Sequence, residues 1–253
     1  MNDAMSRLKS ALDRRHQQAA PLRVFFRDDD VDEDESKLRR LLDIFLRRRT
    51  PLKLGVIPGL LTEAGVRLLA QSVNKAPDLI ELNQHGWRHL NHEREGRKCE
   101  FGPSRTYDEQ FADIALGRTR MNEAFSSEWF PAFIPPWNRC NESALQAIDQ
   151  LGFRVFSAKQ GNSVATGYGF KEVSITLDLY RWRGGASLKP VKEIIDELLD
   201  QFSRLQTIGV MLHHKVMDEQ VFYFLDSILD TLASSPIVRF NTFKSMLSED
   251  EQL

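Results

Sequence analysis

Short apolar runs alternate with longer amphipathic stretches along almost the whole chain. LRVFFR at 22–27 is apolar and rich in β-formers, and residues 33–48 then follow helical spacing. Leu38, Leu41, Leu42 and Phe45 fall at i, i+3, i+4 and i+7 and make one apolar face. Asp32 and Glu35 have capping-box spacing, with Asp32 as N-cap and Glu35 at the third helical position. Arg47, Arg48 and Arg49 close the helix where its macrodipole favours cations. LKLGVI (52–57) predicts the next strand and 62–73 the next helix, and DLIELNQ (78–84) predicts a strand that ends directly at a histidine. Helices over 107–125 and 142–151 flank a short strand PAFI (131–134). FRVFS (153–157) and EVSITLDL (172–179) read as strands, and Pro190 opens the helix VKEIIDELLDQFSRL. TIGVML (207–212), a helix near 218–232 and IVRF (237–240) complete the pattern.

Repeated strand–helix alternation implies a parallel sheet or barrel. About seven such units, with no linker rich in Gly, Pro or Ser between them, predict one α/β barrel-like domain over 1–253. Residues 1–20 form a helical N-terminal extension with Leu8 and Leu12 on one face. Polar residues gather at the C-terminal ends of the strands: Asp28 to Asp30, His85, Trp137 and Asn138, Asp178, and His213. In α/β barrels that end is where sites are built.

Composition narrows the function classes. The 34 basic and 36 acidic residues nearly cancel, for a formal net charge of -2, which argues against nucleic-acid binding driven by bulk charge. No segment approaches the roughly 20 apolar residues that span a bilayer, and the N-terminus lacks the apolar core of a secretory signal. The two cysteines, Cys99 and Cys140, are too few for a disulfide framework and fit a reducing compartment, so the expected location is the cytoplasm.

Two stretches carry chemistry. In HGWRHLNHE (85–93), His85 and His89 are four apart, and a helical turn would place both imidazoles on one face with Cβ atoms roughly 5–6 Å apart. Two neutral imidazoles at that spacing can share a divalent cation, with a carboxylate from elsewhere as third ligand. RDDDVDEDE (27–35) supplies carboxylates. Asp28, Asp29 and Asp30 at a half-buried strand end repel one another unless a cation lies near, whereas 32–35 is explained as the acidic start of a helix. One carboxylate as metal ligand and a second as general base would relieve that repulsion.

Taken together, DDD at 28–30, HGWRH at 85–89, IPPWN at 134–138, DLYRW at 178–182 and LHH at 212–214 resemble, in order, the motifs of the polysaccharide deacetylase superfamily. This is the NodB-like domain of carbohydrate esterase family four. The resemblance covers about 190 residues and implies a distorted (β/α)7 barrel that hydrolyses an acetamido group on a sugar with one divalent metal, Zn²⁺, Co²⁺ or Ni²⁺. It makes His85 and His89 metal ligands. One alignment makes Asp29 the base and Asp30 the third ligand; the other pairs Asp28 with Asp29. His213 matches the histidine that protonates the leaving nitrogen, with His214 as competitor. Pro136, Trp137, Asn138 and Trp182 fall where the family positions substrate.

The chain departs from the family twice. Ile134 stands where an arginine is expected, and Arg181 where an aspartate is expected, so the pair thought to tune the catalytic aspartate is missing. Arg181 or Arg139 is the expected substitute. The expected substrate is an acetamido sugar or glycan precursor. The alternatives are a non-catalytic sugar- or partner-binding member of the fold and a hydrolase of a non-sugar amide.

Overall fold

The computed structural model describes residues 2–18, 20–161 and 167–250. Chain order is α1 (Asn2–Gln17), β1 (Leu22–Val31), α2 (Ser36–Arg47), β2 (Leu52–Val56), α3 (Glu63–Lys75), β3 (Ile80–His85), α4 (Tyr107–Phe125) and β4 (Trp129–Ile134). There follow α5 (Glu142–Gln150), β5 (Val155–Phe156), β6 (Lys171–Glu172), β7 (Leu177–Asp178), β8 (Tyr180–Arg181) and β9 (Ser187–Leu188). The chain ends with α6 (Val191–Arg204), β10 (Thr207–Leu212), α7 (Glu219–Ala233), β11 (Val238–Phe240) and α8 (Phe243–Asp250).

The main sheet is parallel, in the order β6-β5-β4-β3-β2-β1-β10-β7, with β11 added to the start of β1. The stretch read as the single strand EVSITLDL is broken in two. β6 pairs with β5 at one edge and β7 with β10 at the other. Between them Ile175 N–H donates to the Ala158 carbonyl (2.8 Å) and Thr176 N–H to the Gly209 carbonyl (2.9 Å), so one irregular segment joins both edges. Counted as one broken strand, it is the seventh position of a distorted (β/α)7 barrel.

Period-two alternation sorts β1 between two apolar layers. Val24 and Phe26 face the outer layer with Leu38, Leu41, Leu42 and Phe45, the predicted apolar face of α2. Phe25 points into the barrel with Val155, Ile175, Met211 and Phe243. Gly209 faces it from β10, where a Cβ would stand 2.3 Å from the Phe25 ring. Leu8 and Leu12 of α1 are fully buried in the outer layer, so the N-terminal helix is part of the packing.

β1 runs on past Arg27 to Val31, with an irregularity in its pairing to β2 between Asp28 and Val31. This overturns the predicted capping box. α2 starts at Ser36, its N-cap is Glu35, and neither Asp32 nor Glu35 caps it by side chain. Asp32 Oδ1 instead accepts from Lys215 Nζ (2.5 Å), and Glu35 is drawn to His214. Tertiary partners outcompete a local cap once the strand extends this far. The arginines after α2 serve partners on α7 as well as the helix end: Arg48 pairs with Asp226 and Asp230, and Arg47 with Asp226.

Candidate metal and acyl-transfer site

The three aspartates go three ways, because the pleat and one unusual dihedral separate them. Asp28 points outward, fully buried, where Oδ1 accepts the His214 backbone N–H (2.8 Å) and Oδ2 lies 2.5 Å from His214 Nδ1. Asp29 points into the barrel. Asp30 has φ 69°, which swings its side chain up to the rim. There Oδ1 sits 3.2 Å from His85 Nε2 and 3.2 Å from His89 Nε2.

His85 closes β3, but HGWRH does not form a helical turn. Gly86 at φ 59° and His89 at φ 56° fold it into a tight reversal that leaves the imidazole centroids 5.2 Å apart. Glu100 holds this reversal. Its buried carboxylate accepts from the backbone N–H of Trp87 (3.2 Å), Arg88 (2.7 Å) and Leu90 (3.4 Å). A Cβ at position 86 would lie 2.2 Å from Glu100 Oε2, so only glycine fits there. Burial pushes the Glu100 pKa up, against the pull of those donors.

The donor set suits a divalent ion. The ligand atoms of Asp30, His85 and His89 lie within 4.8 Å of one another. Asp30 Oδ1 is buried without an aligned hydrogen-bond donor, an orphan that a cation would satisfy. His85 Nδ1 lies 3.1 Å from the Ile134 carbonyl, which can only accept, so the proton belongs on Nδ1 and the Nε2 lone pair faces the site. Burial and the neighbouring His85 push the His89 pKa down to about 4, keeping that imidazole neutral. Burial lowers the pKa of His85, but the charges of Asp29 and Asp30 outweigh it and raise the net value. Burial likewise opposes ionisation of Asp30, and its position against His85, His89 and His213 nevertheless brings its pKa down.

The positive partner of Asp29 is neither Arg181 nor Arg139. Arg181 pairs with Glu193 on the surface, and Arg139 donates to the Lys98 carbonyl (3.2 Å). Arg27, two residues before Asp29 and on the same face of β1, makes a fully buried bidentate pair with it: Nε to Oδ1 and Nη2 to Oδ2, both 2.8 Å. Nη2 also donates to Asn138 Oδ1 (2.7 Å), and Nη1 to the Ser157 carbonyl and Oγ (2.9 Å each). Gly55 leaves room beside the pair, since a Cβ there would sit 3.1 Å from Asp29 Oδ1. A guanidinium satisfied this fully can be carried inside a barrel.

His213 and His214 part by alternation. His213 faces the site, with Nε2 4.0 Å from Asp30 Oδ2 and the Trp182 ring 4.6 Å away, edge on. Its buried Nδ1 has no hydrogen-bond partner. Asp178 fixes Trp182 by accepting its Nε1–H (2.9 Å). His214 lies between Asp28 and Glu35, whose Oε1 is 2.5 Å from Nε2, though not aligned for a hydrogen bond. Burial opposes its protonation, and the charges of Asp28 and Glu35 raise its pKa nonetheless.

The residues expected to position substrate divide likewise. Trp137 packs on His89 (4.2 Å) and Trp182 is 47% exposed, so both stand at the mouth. Pro136 is buried beside the Gly86 turn, and Asn138 is turned inward to Arg27. Of the six non-glycine residues with positive φ among those described, four are Asp30, His89, Trp137 and Asn138, so unusual backbone is concentrated at this site.

No protein-family model matches the chain, and no curated protein matches its sequence. Solved structures do match in shape. A Mycobacterium smegmatis protein assigned to the polysaccharide deacetylases superposes with TM-score 0.70 at 14% identity, over 92% of this chain and 91% of its own. A family 4 acetyl xylan esterase from Clostridium thermocellum in complex with a cobalt ion gives 0.62 at 16%, over 90% and 92%. A family 4 pseudoenzyme from Bacillus anthracis gives 0.58 at 14%, over 89% of this chain and 66% of its own. With its parallel ring of seven strand positions, the chain has the fold of the polysaccharide deacetylases of carbohydrate esterase family four.

Proposed function

We propose that the protein is a metal-dependent hydrolase that removes an acetyl group from an N-acetylated sugar or glycan precursor. The observation that carries this reading is the convergence on one point of three ligand atoms, from Asp30, His85 and His89, with a restrained carboxylate and a free-edged histidine beside them. A divalent ion on those three residues, Zn²⁺, Co²⁺ or Ni²⁺, would supply Lewis acidity toward the acyl oxygen and acidify the attacking water.

The chain's own residues account for the rest. Asp29 takes the proton of the attacking water, using lone pairs that the Arg27 bonds leave free. Arg27 keeps that carboxylate from rotating, and Asn138 and Ser157 keep Arg27 from following substrate. His213 donates a proton to the leaving nitrogen, a poor leaving group unprotonated. Asp28 and His214 are occupied with each other and take no part in the proton transfers. The exposed faces of Trp137 and Trp182 wall the mouth and suit the apolar face of a pyranose.

An acetate-release screen tests this, using metal-loaded protein against acetamido sugars, nucleotide sugars, short oligosaccharides and acetylated xylan. Release from an acetamido substrate, lost to chelator and restored by added cation, is expected. Release from acetylated xylan alone would move the reading to an ester hydrolase. Metal binding with no release from any substrate would overturn it in favour of a binding protein.

A further inference from the structure

The mouth of the site carries more apolar surface than a sugar calls for. Among the described residues the exposed large hydrophobics are Leu60, Leu90, Leu116, Trp182, Val216 and Tyr223. Four of these six, Leu60 (46%), Leu90 (50%), Trp182 (47%) and Val216 (39%), stand on the segments that follow β2, β3, β8 and β10. Contacts join those loops around one opening. Gly59 N–H donates to the Trp87 carbonyl (2.8 Å), the Trp182 ring meets His213, and Val216 N–H donates to the His213 carbonyl (3.1 Å). Asp30, within reach of both His89 and His213, lies between the two halves.

Cations are set among these apolar groups. On the loops after β3 and β8, Arg88, Arg94, Arg97, Lys98 and Arg183 are exposed, and none pairs with a carboxylate among the described residues. The exposed acids on the loops carrying the apolar residues are Glu95 and Asp218, and Asp218 is engaged in capping α7. In a chain with a formal net charge of -2, these loops thus carry an unneutralised positive excess, while on the loop of Asp30 the acids Asp32, Asp34 and Glu35 have partners and Glu33 is exposed. Arg88 lies over the Trp87 ring (6.0 Å), and Arg183 is covalently next to Trp182, so charge and apolar surface alternate side chain by side chain.

Aliphatic tips on separate loops gain nothing from a soluble polysaccharide, whose hydroxyls would be desolvated against them. An anionic bilayer receives both kinds of group: the headgroup layer takes the cations, and the acyl boundary takes the Leu and Val side chains, while Trp182 stays against His213.

We infer that this face docks on an anionic phospholipid surface, with the site opening toward the bilayer. If the hydrolase reading above holds, the amide it cleaves is carried by a bilayer-anchored molecule such as a lipid-linked sugar. The docking itself does not depend on that reading.

Sedimentation of the full chain with vesicles tests the inference without reference to catalysis. Binding is expected to vesicles of phosphatidylcholine mixed with phosphatidylglycerol, to be weak on phosphatidylcholine alone, and to be released by salt. Arg183→Ala should weaken binding about fivefold, from roughly 1 kcal/mol per cation near such a surface. Leu60→Ser with Leu90→Ser should weaken it about tenfold or more, while the protein stays folded because each residue is about half exposed. No binding to the anionic vesicles at low salt, or binding that neither change weakens, would overturn the inference. So would a dimer in size-exclusion chromatography that the Leu60 and Leu90 changes dissolve, since a second copy would then cover the face.

Discussion

Arg27→Met is the most informative single perturbation of this site. The methionine keeps most of the stem volume and removes the guanidinium, leaving Asp29 buried without either of its 2.8 Å charge-assisted bonds. Asn138 and Ser157 lose a donor as well. Each bond to a charged group is worth about 1.5–3 kcal/mol, and desolvation of the guanidinium is saved in return. Removing one partner of a buried pair has a net cost of about 3–5 kcal/mol, which for a chain of this size lowers the unfolding temperature by roughly 6–20 °C. The assay is thermal and denaturant unfolding of the metal-free protein, so that metal linkage does not enter. It is run on Arg27→Met, Asp29→Asn and the double variant. The double variant should be more stable than the sum of the singles by about 2 kcal/mol or more, because the unpaired carboxylate is gone. A coupling below about 0.5 kcal/mol would refute the claim that Arg27 and Asp29 act as a pair.

Further consequences follow from the other side chains. His213→Gln should reduce acetate release at least roughly a hundredfold with little change in stability, whereas His214→Gln should cost about 1–3 kcal/mol of stability by stripping Asp28 of its ring donor; unfolding and kinetics on both variants would expose an exchange of these roles. Glu100→Ala should weaken metal binding about 10–100-fold by loosening the turn that carries His89, read by calorimetric titration, and unchanged affinity would remove Glu100 from the account. Lys53 is fully buried between the Phe25 and Phe243 rings, and burial, opposed by the charge of Glu81, lowers its pKa from 10.5 to about 7. Its charged form therefore burdens the fold below pH ~7, and native stability relative to Lys53→Met should improve as pH rises from ~7 toward ~10.5, by at most roughly 5 kcal/mol. A stability difference independent of pH over that range would show that Lys53 is not held in this way.

The alternating pattern made the barrel legible, because each strand–helix unit is a local signal: the helix over 107–125 and the strand over 207–212 lie where the spacing places them. EVSITLDL reads as continuous because alternation alone does not show that its two ends serve different neighbours. The three aspartates could be seen to need a positive partner, but not which partner. Arg27 looked like the last residue of a strand, and only the strand's continuation to Val31 puts Arg27 and Asp29 on one face. The split between His213 and His214 follows from the same period of two, and the outward-facing Asp28, which accepts from His214, fixes its direction. Glu100 carried no sequence signal at all: it is a single acid in an irregular loop, and its partners are backbone amides ten to thirteen residues away. The capping box failed for the opposite reason, since a good local signal at Asp32 and Glu35 lost to Lys215 and His214.

Stoichiometric reconstitution decides whether Asp30, His85 and His89 hold a working metal. Metal-free protein is titrated with Zn²⁺, or with Co²⁺, while acetate release from an acetamido sugar is followed, with Asp30→Asn treated in parallel. For the native chain the rate should climb from near zero and level off at one equivalent, with no such rise for Asp30→Asn. Full activity without metal, or an undiminished one-equivalent break in the Asp30→Asn titration, would contradict it.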